Sequence, residues 1–558
     1  HFNLKVSNSA AILNFTYIGF QQLEVEIAGK TDLNITMSES TSELDELIVV
    51  GYGTQKKSDI TGAVASVGSE RLEFVPNLNI AQAIQGAVPG VMVQTSSAGS
   101  SSNESVMIRG RNSIQASNEP LIVIDGIPYG GQIRDINPND VQSIEILKDA
   151  SSASIYGSRG SNGVILVTTK EGVEGKPKIS YNGYYSIQEF TKLPDIMNGE
   201  EFYKFKMERE PDAITESELE VYEAGEWIDW LDMALRKGIS TRHDISVSGG
   251  SQNAQYYISG GVTDVKGLAV NDNYLRLTSR INLDVKISDW LTIGTRTQLS
   301  YDDRGGLSPT WDGDQGVFWM NPLTKAYDDN GELTIFPWDD NPYFRNPLMG
   351  TLAKNINESF QVIANNYAIV DFPFMKGLQY RINTGIRFRF IDTGTYYGRN
   401  TQVGLKDAGN AATSRGRYNN NVVENILNYN REFGKHGVFL TALYSFEENT
   451  NSTNELSATG FPHDFLTWYS SAQAELIKPD FTYNSTALIS QMLRLNYSYD
   501  SRYLITATGR RDGYSGFGAN NKWGFFPSIA LGWNLANEDF LAPKSIFNTL
   551  KLRFSYGL

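Results

Sequence analysis

Between Leu275 and Tyr301 apolar and polar residues alternate with a period of two. Leu275, Leu277, Ile281, Leu283, Val285 and Ile287 hold odd positions, while Arg276, Thr278, Arg280, Asn282, Asp284 and Lys286 hold even ones. After the turn Ser288-Asp289-Trp290 the phase repeats through Leu291, Ile293, Thr295, Thr297, Leu299 and Tyr301. A second unit follows Met375-Lys376-Gly377. Leu378, Tyr380, Ile382, Ile386, Phe388 and Phe390 form one face there, with Gln379, Arg381, Asn383, Arg387 and Arg389 opposite. A third joins LRLNYSY to YLITATG through Asp500 and Ser501. Period two belongs to an extended strand whose faces meet different media. These strands run ~10–13 residues, against about 5–6 in ordinary globular sheets. Their connections alternate between a few residues and dozens, the long ones at 302–360, 391–421 and 447–488. Long strands with this asymmetry predict a transmembrane β-barrel, Leu, Tyr and Phe toward lipid and Arg, Asn and Thr toward a wet lumen. A secreted β-sandwich or β-helix is the disfavoured alternative.

Before residue 172 the pattern is α/β. Short apolar runs at 106–108, 121–124 and 164–167, bounded by Gly and Pro, predict buried strands. GAVASV is strand-like, and 79–86 reads as a helix that Pro89 and Gly90 terminate. Residues 140–156 carry Val141, Ile144, Ile146, Leu147 and Ala150 at a spacing closer to helical than alternating, with Asn139 or Asp140 as cap. A helix is expected there. Residues 198–234 break the strand pattern and predict helices with an acidic, solvated face. At the start, NFTYIGFQQLEVEI and LNITM are strand-like. LDELIVVGYG is a short β-prone run between polar flanks, the format of a segment that adds to a partner's sheet edge.

Length and composition narrow the function. A chain of 558 residues predicts two to four domains. With no cysteine there is no disulfide framework and no thiolate chemistry. A net charge of −15 opposes nucleic-acid binding. No apolar run reaches the ~18 residues of a membrane helix, a test that β-barrels evade. His1, His243, His436 and His463 are scattered, and neither HExxH nor GxSxG occurs. WDGDQG and DDNGE lack the full register of a calcium loop and read as turns. GYSGFGAN lacks the strand-to-helix setting of a nucleotide loop. No catalytic residue, metal site or cofactor is expected, and binding is what remains. SPTWDGDQGVFWMNP and PWDDNPYFRNP mix aromatics with Asp and Asn, which suits sugar rings and hydroxyls as well as peptides. Trp311, Trp319 and Trp338 are the candidate cargo contacts.

Two stretches carry a family resemblance. IRGRNSI, LIVIDGIP and IEILKDASSASIYGSRGSNGVILVTTK lie in succession between Ser105 and Gly172, and RRDGYSGFGANNKWGFFPSIALGWNLANEDF covers 510–540. Both resemble TonB-dependent outer-membrane receptors of the SusC/RagA-like branch. The fold this implies is an α/β plug inside a large antiparallel transmembrane β-barrel, preceded by the end of a small β-sandwich. The implied boundaries are 1–43 for the end of a carboxypeptidase-regulatory-like domain, 44–53 for the TonB box, 54–172 for the plug and 173–558 for the barrel. About half of a ~22-strand wall is then present. His1 opens the chain without an export signal and it stops in the alternating LKLRFSYGL, as expected of a chain lacking its leader and remaining strands.

The resemblance also implies roles. Asp45, Glu46, Leu47, Ile48, Val49 and Val50 would be captured by TonB, itself energised through ExbB and ExbD. Arg109 and Arg111 of the IRGR motif would meet either the wall or the cargo, and the residues do not separate the two. A SusD-like lipoprotein is the implied lid, and outer-membrane lipid surrounds the wall. Energised import of an oligosaccharide is the leading expectation. A peptide importer of the RagA-like type, and a surface binding or adhesion protein anchored by a barrel, are the alternatives. A passive porin is a weaker one, since porins carry no such plug.

Overall fold

The computed structural model describes residues 12–15, 23–26, 35–36, 47–49, 51–56, 59–74, 80–95, 99–100, 104–114, 117–311, 316–338, 341, 343–538, 540–541 and 550–557. Two compact units divide the chain, residues 1–60 and 61–558. In the first, β1 (Ile12–Phe15) pairs antiparallel with β2 (Leu23–Glu26), and β3 (Leu47–Val49) with β4 (Thr54–Lys56). Of the expected sandwich end, the described residues contain the β1–β2 hairpin. Most of LNITM lies outside them.

The second unit opens with the plug. β5 (Val64–Gly68) leads into α1 (Ser69–Phe74) and α2 (Ile80–Ile84), then β6 (Val91–Thr95) and β7 (Glu104–Ile108) form a two-stranded ribbon. β8 (Leu121–Ile124), β9 (Ile127–Tyr129), β10 (Val141–Leu147) and β11 (Val164–Thr169) join β5 in one sheet of order β5-β10-β11-β8-β9. Asp125 and Gly126 close the β8–β9 hairpin with positive φ at both positions (51° and 87°), which is why an Asp-Gly pair sits there. The helix expected over 140–156 is corrected. Residues 141–147 are the strand β10, and helix begins only at α3 (Ala150–Ala153), followed by a 3-10 segment, Ser154–Gly160. The reason is position. β10 is hydrogen-bonded to β5 on one side and β11 on the other, and Val141, Ile144, Ile146 and Leu147 are all fully buried. A strand covered on both faces loses its alternation.

From β12 onward the chain forms one 13-stranded sheet in which every strand pairs antiparallel with the next. β12 (Gly175–Gln188) is followed by α4 (Gly199–Arg209), α5 (Glu216–Ala224) and α6 (Trp230–Ala234). Then come β13 (Gly238–Gly250), β14 (Ala254–Lys266), β15 (Asn273–Ser288), β16 (Leu291–Asp303), β17 (Lys354–Asp371) and β18 (Leu378–Tyr397). After α7 (Gln402–Asp407), the wall continues through β19 (Asn410–Phe433), β20 (His436–Thr459), β21 (Leu476–Tyr499), β22 (Tyr503–Tyr514), β23 (Trp523–Asn534) and β24 (Lys551–Gly557). The fold is an α/β plug within a partial antiparallel β-barrel.

The expected length of ~10–13 residues holds for β13, β14, β16, β22 and β23 but is exceeded from β17 to β21. β19, β20 and β21 reach 24 residues each, running into segments read as loops. The upper half of β20, ENTNST, is polar on both faces, so the ladder continues where the alternation stops.

The two faces of the wall differ as the alternation requires. Leu277, Ile281, Leu283, Ile293 and Leu299 are turned outward and exposed, whereas Arg276, Arg280, Asn282, Arg296 and Gln298 are buried against the plug. Ile281→Arg, on the outward face, is expected to cost about 2–4 kcal/mol of stability in lipid. Urea unfolding of full-length receptor in liposomes measures this, and a loss below about 0.5 kcal/mol, the scatter of an ordinary surface substitution, would show that the face is not in hydrocarbon.

Candidate functional site

The plug meets the wall through polar groups on both sides. In one sector the segment from Asp125 to Asp140 faces β13–β18. The left-handed backbone at Asp125 turns its carboxylate back onto Thr169, whose N–H and hydroxyl donate to it at 2.8 and 3.0 Å. Asp140 ends a short 3-10 turn, Pro138–Asp140, capped by Asn137. It accepts from the hydroxyls of Tyr257 and Ser259 at 3.0 and 2.6 Å. Arg280, buried on the inward face of β15, lies 3.6 Å from Asp140 and 3.8 Å from Asp125. Asn137 and Asn139 donate to Asp244 at 2.8 and 2.6 Å. Arg276 donates to the carbonyls of Arg134 (2.6 Å) and Asp135, and Gln298 to that of Asp135 (2.8 Å).

A second sector joins the Ser154–Gly160 segment to β19–β23. Arg159 pairs with Glu447, and Arg510 donates to the Ile155 carbonyl at 2.5 Å while held by Asp512 at 2.8 Å. The hydroxyls of Ser154 and Ser528 are 2.7 Å apart, and Thr61 donates to Thr506 at 3.0 Å. Arg553 of β24 reaches the Gly62 carbonyl at 2.7 Å.

Apolar packing follows a different boundary. The main buried cluster, from Val67 to Val167, lies inside the plug and includes a single wall side chain, Ile363. The plug therefore has its own core and a hydrogen-bonded rim. Each neutral hydrogen bond nets roughly 0.5–1.5 kcal/mol and each charged one about 1.5–3. Water can replace such bonds when the surfaces part, whereas a greasy seam would expose apolar area at about 25 cal/mol per Å².

Within the rim, the Tyr129 hydroxyl donates to Asp135 at 2.6 Å and receives Gln361 at 2.9 Å. Burial and then the neighbouring Asp135 carboxylate push the Tyr129 phenol well above its usual range. Burial alone would raise Asp135, but the Tyr129 hydrogen bond, the Arg389 guanidinium and the Gln132 N–H outweigh it and hold the carboxyl below its usual value.

The residues singled out in the sequence fall outside this rim. Arg109 and Arg111 are exposed, and among the described residues neither forms an ion pair with the wall. Arg109 has φ of 67° and spends its N–H on the Gly90 carbonyl at 2.8 Å. The arginines that hold the plug come mostly from the wall: Arg276, Arg387, Arg510 and Arg553 donate to plug carbonyls, while Arg280 meets the Asp of LIVIDGIP and of NPND. That pairing is present in the sequence as two separate patterns. Leu47, Ile48 and Val49 form β3, while Asp45, Glu46 and Val50 lie outside the described residues.

At the outer end of the wall, α4–α6 pack against the 304–353 excursion. Trp230, Leu231 and Ala234 share a cluster with Val317, Met320 and Leu348, and Trp311 packs onto it. Trp338 packs at a tilt against Phe344 (5.1 Å) beneath the Lys206 ammonium (5.1 Å). Trp319 is 63% exposed, so it alone of the three tryptophans presents most of its surface. One acid departs from the solvated-face reading. Glu218 is fully buried, accepting from Lys206 at 2.5 Å and Asn321 at 2.5 Å and tying the helices to the excursion. Among the described residues no group of three or more His, Asp or Glu side chains is arranged to hold a metal.

A polar-rimmed plug against a 13-stranded antiparallel wall is the architecture of a plugged β-barrel. The TonB-dependent Receptor Plug Domain family matches residues 56–164. TonB-dependent receptor P3 of Formosa agariphila is 34% identical over 571 residues, covering 100% of this chain and 55% of its own length. TonB-dependent receptor SusC of Bacteroides thetaiotaomicron is 30% identical over 584 residues, 98% of this chain and 56% of the relative. The RagAB peptide importer in its open-open state superposes with a TM-score of 0.82 at 28% identity, covering 92% of this chain and 61% of that one. The chain belongs to the SusC/RagA-like TonB-dependent receptors, β-barrel proteins of the outer membrane. It spans about half the length of the curated relatives it matches.

Proposed function

We propose that this protein imports a large nutrient, an oligosaccharide, across the outer membrane under the pull of TonB. TonB, energised through ExbB and ExbD, takes residues 45–50. The pull passes along the chain to Thr61, where the rim begins; the rim parts and the cargo reaches the periplasm. A SusD-like lipoprotein closes the outer face. The observation that supports this reading is the rim itself, built mainly of polar contacts and backed by a separate plug core. A gate built to stay shut would bury apolar area, and a passive pore would not be filled. A peptide cargo is the second reading, favoured by the likeness to the RagAB peptide importer.

Deleting residues 45–50 from the full-length receptor is expected to drop uptake of labelled cargo to background while surface binding persists. Uptake that continues unchanged would leave the barrel as an anchor for a binding or adhesion protein.

A further inference from the structure

One wall arginine takes its carboxylate partners from the plug, and two more spend guanidinium nitrogens on plug carbonyls. Arg280 is 2% exposed; its carboxylate neighbours, Asp125 and Asp140, both belong to the plug, and the wall offers it the neutral Gln298 oxygen at 2.5 Å. Arg276, 3.7 Å from the wall's Asp302, directs two guanidinium nitrogens at the plug carbonyls of Arg134 and Asp135. Arg387, on β18, donates to the Gly130 carbonyl at 3.0 Å and lies over the Tyr129 ring at 5.2 Å. Between them, the inward faces of β16 and β17 carry the neutral Gln298, Ser300, Gln361 and Asn365, with Asp302 beside Arg276 as the acid of that stretch. Arg296 is balanced within the wall by Asp284 at 2.7 Å.

When the plug withdraws, Asp125, Asp135 and Asp140 leave with it and the arginines stay. A cation stripped of its partner in a confined lumen is costly, and an incoming anion removes that cost. On the opposite side Glu447 loses Arg159, Arg510 keeps Asp512, and Arg553 gives up the Gly62 carbonyl, so a freed acid stands with the freed cation. The opened lumen is thus polarised, with its positive stripe on β15–β18.

We propose that this stripe selects an anionic oligosaccharide, whose carboxylates take the places that Asp125, Asp135 and Asp140 vacate. The plug carboxylates act as stand-ins for the cargo, and each charge passed along the stripe offsets part of the work of parting the rim. The assignment rests on the import reading above and names the class of cargo.

The test uses the full-length receptor in cells with its partners, and two labelled probes of one backbone: oligogalacturonate and its fully methyl-esterified form. Uptake that depends on residues 45–50 is expected to be about tenfold or more faster for the acid, the weight of one charged hydrogen bond. Arg387→Gln should remove most of that preference, slowing the acid far more than the ester. Arg280→Lys should retain more of it than Arg280→Gln, which separates charge from seating of the plug. Equal uptake of both probes, or of neither, or a preference indifferent to these substitutions, overturns the assignment. Failure of the import reading looks different: the acid would then enter equally with and without residues 45–50.

Discussion

Cysteines at Ser154 and Ser528 are expected to stop import under oxidising conditions and to release it on reduction. The two hydroxyls are 2.7 Å apart, and the residues are 5% and 8% exposed, one in the plug's 3-10 segment and the other on β23. The chain contains no cysteine, so the engineered pair has no competing partner within it. Every native bond across this rim is non-covalent and each is worth about 3 kcal/mol or less, within reach of a mechanical pull. A disulfide is not. Uptake of labelled cargo should fall to background when the link is formed and return to near wild type with a thiol reductant, and each single cysteine should transport in both states. Cross-linking is read by the mobility shift of a proteolysed sample. Should a fully linked receptor still import, the passage would have to open by movement of residues 61–153 alone, with the second sector left in place.

The parts of this architecture that are legible in the sequence are those where a strand separates two media. Residues 275–301 alternate because lipid-side positions such as Ile281 are barred to charge while rim-side positions demand it. Ile281 and Arg280 are adjacent in sequence and opposite in fate, 45% and 2% exposed. Where both faces meet the same medium the signal vanishes. β10 is buried on both sides and imitates a helix; the upper half of β20 is polar on both sides and imitates a loop. The site is harder to see for another reason. Arg280 needs Asp125 and Asp140, and nothing local in the sequence says that three polar residues on distant elements converge. Arg109 stands out by its motif, and in the structure it is an exposed side chain on a left-handed turn whose N–H is bonded to the Gly90 carbonyl. Trp311 and Trp338 sit in polar stretches that suggest exposure, which the packing of α6 and Lys206 removes.

Gly157→Ala is expected to unseat the second sector while the wall stays folded. Gly157 has φ 62° and ψ −142°, a region that side chains rarely enter, costing roughly 1–3 kcal/mol. A Cβ there would also lie 1.9 Å from Asp512 Oδ2 and 2.7 Å from Arg510 Nε. Neither neighbour can yield cheaply: Arg510 is fully buried, bonded to Asp512, to the Ile155 carbonyl and to Ser490 at 2.8, 2.5 and 2.8 Å. Forcing that pair apart brings the penalty of a broken buried ion pair, about 3–5 kcal/mol. Combined, the loss should be about 4 kcal/mol or more, enough to leave the Ser154–Gly160 segment detached much of the time. Hydrogen exchange over 154–160 should rise by orders of magnitude while β13–β16 stay protected, and the cells should become permeable to large antibiotics. Gly86→Ala is the matched control. Its φ of 66° is similar, but nothing lies within 4 Å of the added Cβ, so only the backbone cost applies. If the two variants behave alike, the close approach of the plug turn to the Arg510–Asp512 pair is not what seats the plug, and the first sector around Arg280 carries the load instead.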